Sequence, residues 1–260
     1  VKYGISGKVM LDKKNRLILY AGNRRDVEQI AASLSPITDV LGRSFASSSL
    51  LASGDNSKLS SINISTAGIE IEPVKNLKFS AAVNYKTLKS ASPTFNLDYY
   101  TDIQNKTISK ELEQAEINLS FDYTPKRKTI GYGVDRTDVN DDFPRGFFNY
   151  SLGVKDFLGS DFDYKKVQLL YRHPFLLGGF GRLTPTIEVG KTFGTVPLGL
   201  MNVIPGNQSY FIIENAFSQL NYYEFVTDEY FTLHLEHDFG GRLFSRLPYL
   251  RDLNLREIIG

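Results

Sequence analysis

Three groups of side chains in this sequence have types and spacings that could do chemistry. The first is His234-Leu-Glu-His237, because imidazoles and carboxylates are ordinary zinc ligands. The residues around it alternate: Phe231, Leu233, Leu235 and Phe239 on one side, Thr232, His234, Glu236 and Asp238 on the other. That is strand periodicity, and positions three apart on a strand point to opposite faces, so His234 and His237 do not share an ion. His234 and Glu236 do share a face, which reads as a polar contact inside a lumen rather than a metal site. The second group is the acidic cluster Asp135, Asp138, Asp141 and Asp142, whose oxygens would suit Ca²⁺. It lacks the glycine and closing glutamate of a helix-loop-helix calcium loop, so a solvated connector is the plainer reading. Asp156, Asp161 and Asp163 are read the same way. The third group is Lys166, Arg172, Arg182 and Glu188, which fall on the polar faces of neighbouring alternating segments. Such charges either select solutes in a pore or pair with one another and plug it.

Other chemistries find little footing. Cysteine is absent, which removes disulfides, thiolate catalysis and thiolate metal ligands together. The chain has three His and no Gly-x-Ser-x-Gly elbow for a nucleophilic serine. Gly178-Gly-Phe-Gly181 reads as a turn, not a phosphate cradle. Lys plus Arg number 30 against 29 Asp plus Glu, so no global field points to nucleic acid. No catalytic, cofactor-binding or metal site is expected, and the protein is not expected to be an enzyme.

The elements that carry these charges alternate apolar with polar. Leu77, Phe79, Ala81, Val83 and Tyr85 share a face opposite Lys78, Ser80, Ala82, Asn84 and Lys86. The arm before it, 61–72, joins through a turn at 73–76; Ile62 and Ile64 sit out of phase with Ile69 and Ile71, which predicts a bulge near Gly68. Similar strands are expected over 1–11, 16–22, 115–123, 145–154, 164–172, 181–190, 216–226 and 230–239, with a weak one over 129–135 and a last one over 253–259. Residues 24–34 look briefly helical, and 35–58 form a long polar loop. Residues 240–252 make a basic-apolar connector. Tight turns at Asp12, Pro73, His173 and Thr227 are expected at one end, and long loops after Gly22, Lys86, Val154, Gly190 and Phe239 at the other. The connection 124–144 is too long for its place in that scheme.

No run approaches the apolar length of a transmembrane helix, but barrel strands alternate and keep mean hydropathy low. The fold class expected is all-β: an antiparallel transmembrane β-barrel of about eleven strands. Tyr85, Tyr123, Tyr171 and Tyr222 are candidate girdle residues at the membrane interfaces. An odd strand number, the lack of an initiator Met and the lack of a terminal aromatic suggest one barrel domain with flanking strands missing.

Five stretches carry a resemblance: GNRRDVEQ at 22–29, GSDFDY at 159–164, HPFLLGGFG at 173–181, PGNQS at 205–209 and LEHDFGGRLFSRLP at 235–248. Together they resemble the barrel region of a Bacteroidetes-type outer-membrane family of unknown function, whose members carry a carboxypeptidase-like regulatory sandwich ahead of the barrel. The resemblance covers most of the chain and implies fold and location, the outer membrane of a Gram-negative bacterium. It brings no activity and no catalytic residues. Arg145-Gly-Phe147 gives a more distant likeness to outer-membrane assembly barrels of the surface-antigen type, although here it lies at a strand start rather than a long-loop tip. The function expected is a structural or assembly component of the envelope, in contact with outer-membrane lipid and other envelope proteins. The alternatives are a solute pore or transporter, and a soluble β-sandwich or calycin-like binding domain, since alternation by itself does not say which face is wet.

Overall fold

A computed structural model describes residues 3–28, 58–102, 106–206, 215–221, 223–253 and 255–260. The chain opens with two hairpins, β1 (Tyr3–Asp12) with β2 (Leu17–Glu28) and β3 (Ser60–Val74) with β4 (Leu77–Ser90). The loop that follows holds a small hairpin, β5 (Tyr99–Asp102) with β6 (Thr107–Ser109), before β7 (Glu111–Tyr123) returns to the sheet. Another small hairpin, β8 (Thr129–Ile130) with β9 (Thr137–Asp138), precedes β10 (Arg145–Gly153), β11 (Tyr164–Arg172), β12 (Phe175–Leu176) and β13 (Arg182–Phe193). β14 (Asn202–Val203) pairs with β15 (Val226–Thr227) off the sheet, and β16 (Glu229–Asp238) and β17 (Ile258–Ile259) complete it. The result is an eleven-stranded antiparallel sheet in the order β1-β2-β3-β4-β7-β10-β11-β13-β16-β17, with β12 beside β13. It is an open sheet among the described residues: no pairing joins its first and last strands. No helix among the described residues is long and apolar enough to cross a membrane, which says nothing about crossing by strands.

Local chemistry sets the hairpins. The Asp12 carboxylate accepts from the backbone N–H groups of Lys14 (2.8 Å) and Asn15 (3.3 Å), an Asx turn that reverses the chain. At the β3–β4 turn Asn76 takes φ 68°, a left-handed conformation that Asn tolerates better than most residues.

The sheet curls, with a largely polar concave face and a largely apolar convex one. The polar rows of β1, β2, β3, β4, β7, β10 and β11 line one cavity on the concave side. The apolar rows point outward. On β16, Phe231, Leu233 and Leu235 are 66%, 46% and 52% exposed, while Thr232 between them is 8% exposed. Phe79 and Val83 on β4, Leu119 and Tyr123 on β7, and Leu169 and Tyr171 on β11 are likewise exposed. Buried interior polar residues include Glu72, Glu116, Asp122, Thr184, Thr186 and Glu188.

Three tyrosines on the concave face stand directly opposite glycines: Tyr20 opposite Gly68, Tyr164 opposite Gly153, and Tyr230 opposite Gly190. Each ring lies over its glycine. A Cβ added to Gly68 would meet the Tyr20 ring and the Ala81 carbonyl oxygen at 2.7 Å, and at Gly153 and Gly190 it would collide with the Tyr164 and Tyr230 rings. Lying flat across the glycine, the tyrosine hydroxyl reaches the strand beyond. Tyr164 donates to Glu116 on β7, and Tyr230 meets Gln168 on β11 at 3.3 Å.

The structure corrects several expectations. There is no bulge at Gly68: β3 and β4 stay in register from Ser60↔Ser90 to Ile71↔Phe79, and the irregularity falls between Ile71 and Val74. Ile62 and Ile64 therefore face inward and Ile69 and Ile71 outward. The sequence showed two apolar faces because the inner row of β3 itself changes from polar to apolar toward one end. The strand expected over 216–226 is absent among its described residues, apart from Val226 in β15. The expected pairing of 216–226 with 230–239 is replaced by that of β13 with β16, in the register Thr186↔His234. Thr227 is thus no hairpin turn but lies in the long loop between β13 and β16, and the 239–257 connection moves to the short-turn end. Residues 24–28 continue β2 instead of starting a helix, 129–135 contributes only β8, and the last strand shrinks to Ile258–Ile259. Of the loop read over 35–58 only Lys58 is described, and residues 29–34 of the expected helical stretch and the girdle residue Tyr222 lie outside the described residues.

Candidate functional site

The concave face encloses a cavity of about 840 Å³. At the long-loop end its inner row is apolar: Ile62, Leu88, Leu97, Tyr99, Leu112, Tyr164 and Leu200 form one buried cluster. Residues of β3, β4, β7 and β11 meet there with two loops that fold inward, and Gly199 sits so close to Leu88 that a side chain would not fit. The Tyr99 hydroxyl donates to Asp161 at 2.7 Å, and burial pushes its pKa up to about 12.

The short-turn end is covered differently. The 124–144 connector reaches across it and is tied to the wall by charge. Asp135 pairs with Lys8 of β1 at 2.9 Å, and Asp141 with Arg182 of β13 at 2.9 Å. Arg16, in the β1–β2 turn, donates to the Val134 carbonyl at 2.8 Å, and Arg172 to that of Asp141 at 3.3 Å. Glu72 is the centre of this network. Its carboxylate takes Arg136 of the connector, Arg16 at 3.2 Å and the backbone N–H of Asn76 at 2.8 Å. Burial, followed by the neighbouring Arg136, lowers the Arg16 pKa. Within the connector Asp138 holds Arg127 at 2.6 Å, and Asp142 accepts from the Asn140 amide at 2.7 Å. Of the four acidic residues, Asp135 and Asp141 thus tether the connector to the wall, and Asp138 and Asp142 brace it internally. Among the described residues no three His, Cys, Asp or Glu side chains are grouped to hold a metal ion.

Between the two covers the wall charges are paired across strands. Arg145 grips Asp122 through Nε (3.0 Å) and Nη2 (3.2 Å), a two-point contact that the planar guanidinium favours. Lys86 pairs with Glu116, which also accepts from Tyr164.

All six sequence candidates belong to inward rows, but they are not one cluster. Lys166 and Glu188 line a smaller cavity of about 210 Å³, where Lys166 donates to the Leu200 carbonyl at 2.9 Å and Glu188 accepts from Tyr230 at 2.8 Å. Arg172 and Arg182 hold the connector at the opposite end. His234 is half-buried against Phe217, with ring centroids 4.4 Å apart, and Glu236 is exposed. His237 points outward and stacks on Phe239 at 4.2 Å. Sequence reasoning missed Glu72, Glu116 and Asp122. Their signal was present, because each sits in a polar row between apolar neighbours.

Residues 4–260 match the model of a family described as "Family of unknown function (DUF5686) C-terminal domain". The comparison with curated proteins found no match.

Proposed function

The chain belongs to the DUF5686 C-terminal-domain family, which brings no activity with it, and we propose from the fold that it is an integral outer-membrane β-barrel protein of a Gram-negative envelope, a structural or assembly component and not an enzyme. One observation carries the reading: the apolar rows are outside and the charged rows inside. In water, exposing rows such as Phe231, Leu233 and Leu235 while burying Thr232 and Glu188 would run against the hydrophobic effect on both faces. In lipid the same arrangement is the favourable one. The short turns then face the periplasm and the long loops the exterior.

The covers at the two ends of the cavity favour a plugged lumen over an open pore. Single-channel recording of the full chain in planar bilayers tests this: no steady current is expected at neutral pH and moderate salt. A steady open current would favour the second reading, a solute pore, for which the 840 Å³ cavity is the supporting observation.

A further inference from the structure

The 239–257 connection leaves β16 at the short-turn end and is pinned where its two ends meet. Glu257 is buried and accepts from the backbone N–H of Phe244, while its carbonyl accepts from Phe239 at 2.9 Å. Successive turns between Gly241 and Leu253 are closed by backbone bonds such as Leu247 to Phe244 (3.0 Å) and Leu253 to Leu250 (3.1 Å). A segment pinned this way would be expected to tuck its apolar side chains inward if water were its surroundings. Instead Leu243 and Leu247 are about half exposed and Tyr249 is 93% exposed. Interleaved with them are Arg242, Arg246 and Arg251, all exposed. Among the described residues no carboxylate lies within ion-pair distance of Arg242 or Arg246, and Arg251 has only its neighbour Asp252 at 3.4 Å.

The surroundings say what this face meets. Just inside it along the outer wall lie two stacked aromatic pairs, His173 on Phe175 and His237 on Phe239, each with ring centroids 4.2 Å apart. Barrels of this class carry girdles of aromatic residues at the membrane interfaces, and Tyr171 lies against the first of these pairs, its ring centroid 5.9 Å from that of His173. Arg242 rests on the neighbouring turn, 3.3 Å from where a Gly179 Cβ would be, and that turn exposes Phe180. The apolar wall, the aromatic boundary and the arginine-bearing rim therefore follow one another in the order of a bilayer leaflet.

We propose that the connector between β16 and β17 is a headgroup-binding rim: Arg242, Arg246 and Arg251 take the phosphates of anionic glycerophospholipids, while Leu243, Leu247 and Tyr249 enter the edge of the acyl layer. Guanidinium groups suit this because their fork donates two parallel hydrogen bonds to phosphate oxygens. The proposal rests on the membrane reading above.

The test titrates the full chain, held in zwitterionic detergent, with phosphatidylglycerol or phosphatidylcholine and counts bound lipids by native mass spectrometry. Phosphatidylglycerol is expected to bind at least about tenfold more tightly, given three cations at the surface. The triple variant R242Q/R246Q/R251Q is expected to lose that preference, and the corresponding triple lysine variant to keep most of it. Circular dichroism of each variant verifies the strand content. Equal binding of the two lipids by the unaltered chain overturns the proposal, as does an undiminished preference in the glutamine variant. A dimer that the glutamine variant abolishes, without lipid preference, overturns it in favour of a second copy. Vesicle flotation separates the two readings. A chain that floats with neutral and anionic vesicles alike but shows no preference sinks the rim alone, and one that floats with neither sinks the membrane reading.

Discussion

Gly68, Gly153 and Gly190 matter for what their missing side chains allow a tyrosine to do. Each lets an aromatic ring lie across its strand, fill concave space and deliver a hydroxyl two strands away. Gly68→Val should be the most damaging of the three valine variants, because the Ala81 carbonyl oxygen, a backbone atom, stands 2.7 Å from the new Cβ and cannot swing aside. A loss of about 1–3 kcal/mol is expected from overpacking, read as a lower denaturant midpoint in detergent. Glu72 is the second sensitive residue. Glu72→Ala would leave Arg16 and Arg136 facing each other without their shared carboxylate, at an expected cost of about 3 kcal/mol by the same measurement. Alternation in the sequence marks Glu72 as belonging to a polar row, but neither its two arginine partners nor the glycine roles were legible there. The tyrosine–glycine facings depend on strand register, which turns and loops set from far along the chain.

At the scale of elements, the 124–144 connector is the part that departs from a plain meander. Its length was plain in the sequence; its purpose was not, since its partners Lys8, Glu72 and Arg182 come from three distant strands. The pairs at Asp135 and Asp141 are exposed, so each contributes less than about 1 kcal/mol. Replacing both by Asn should speed tryptic cleavage of the connector about threefold without lowering global stability, since local opening responds before global unfolding. Asp142 adds a pH dependence. The Asn140 amide hydrogen bond holds its carboxyl below the ordinary 3.8, so this tie is present at neutral pH. It is lost only as the pH falls through that lowered value, which a carboxyl NMR titration would follow. The strands 77–86, 115–123, 145–154 and 230–239 were legible because each alternates through most of its length. The segment 216–226 misled because Phe217, Leu220 and Phe225 look like strand residues until β16 is seen paired to β13.

For the whole molecule the decisive quantity is the cost of a charge on the outer face. Leu119, in mid-strand on β7, is 48% exposed. In water Leu119→Arg would change stability by no more than about 0.5 kcal/mol, as exposed substitutions do. In a bilayer it should cost about 2–4 kcal/mol. Unfolding of both forms from lipid vesicles decides the matter, and a negligible difference would return the soluble binding domain as the better account.

The open edges of the sheet have their own geometry. Every neighbour in the strand order is antiparallel, and β1 and β16 are separated by an even number of steps, so the two run the same way. β17 pairs with only the His237–Asp238 end of β16, and among the described residues no strand pairs with the rest of that margin or with the outer margin of β1. Hydrocarbon does not tolerate unpaired amides. Joining the two margins directly would need a parallel seam. A strand of opposite sense, such as β17 itself, continues beside β16 the same antiparallel ladder found everywhere else in the sheet.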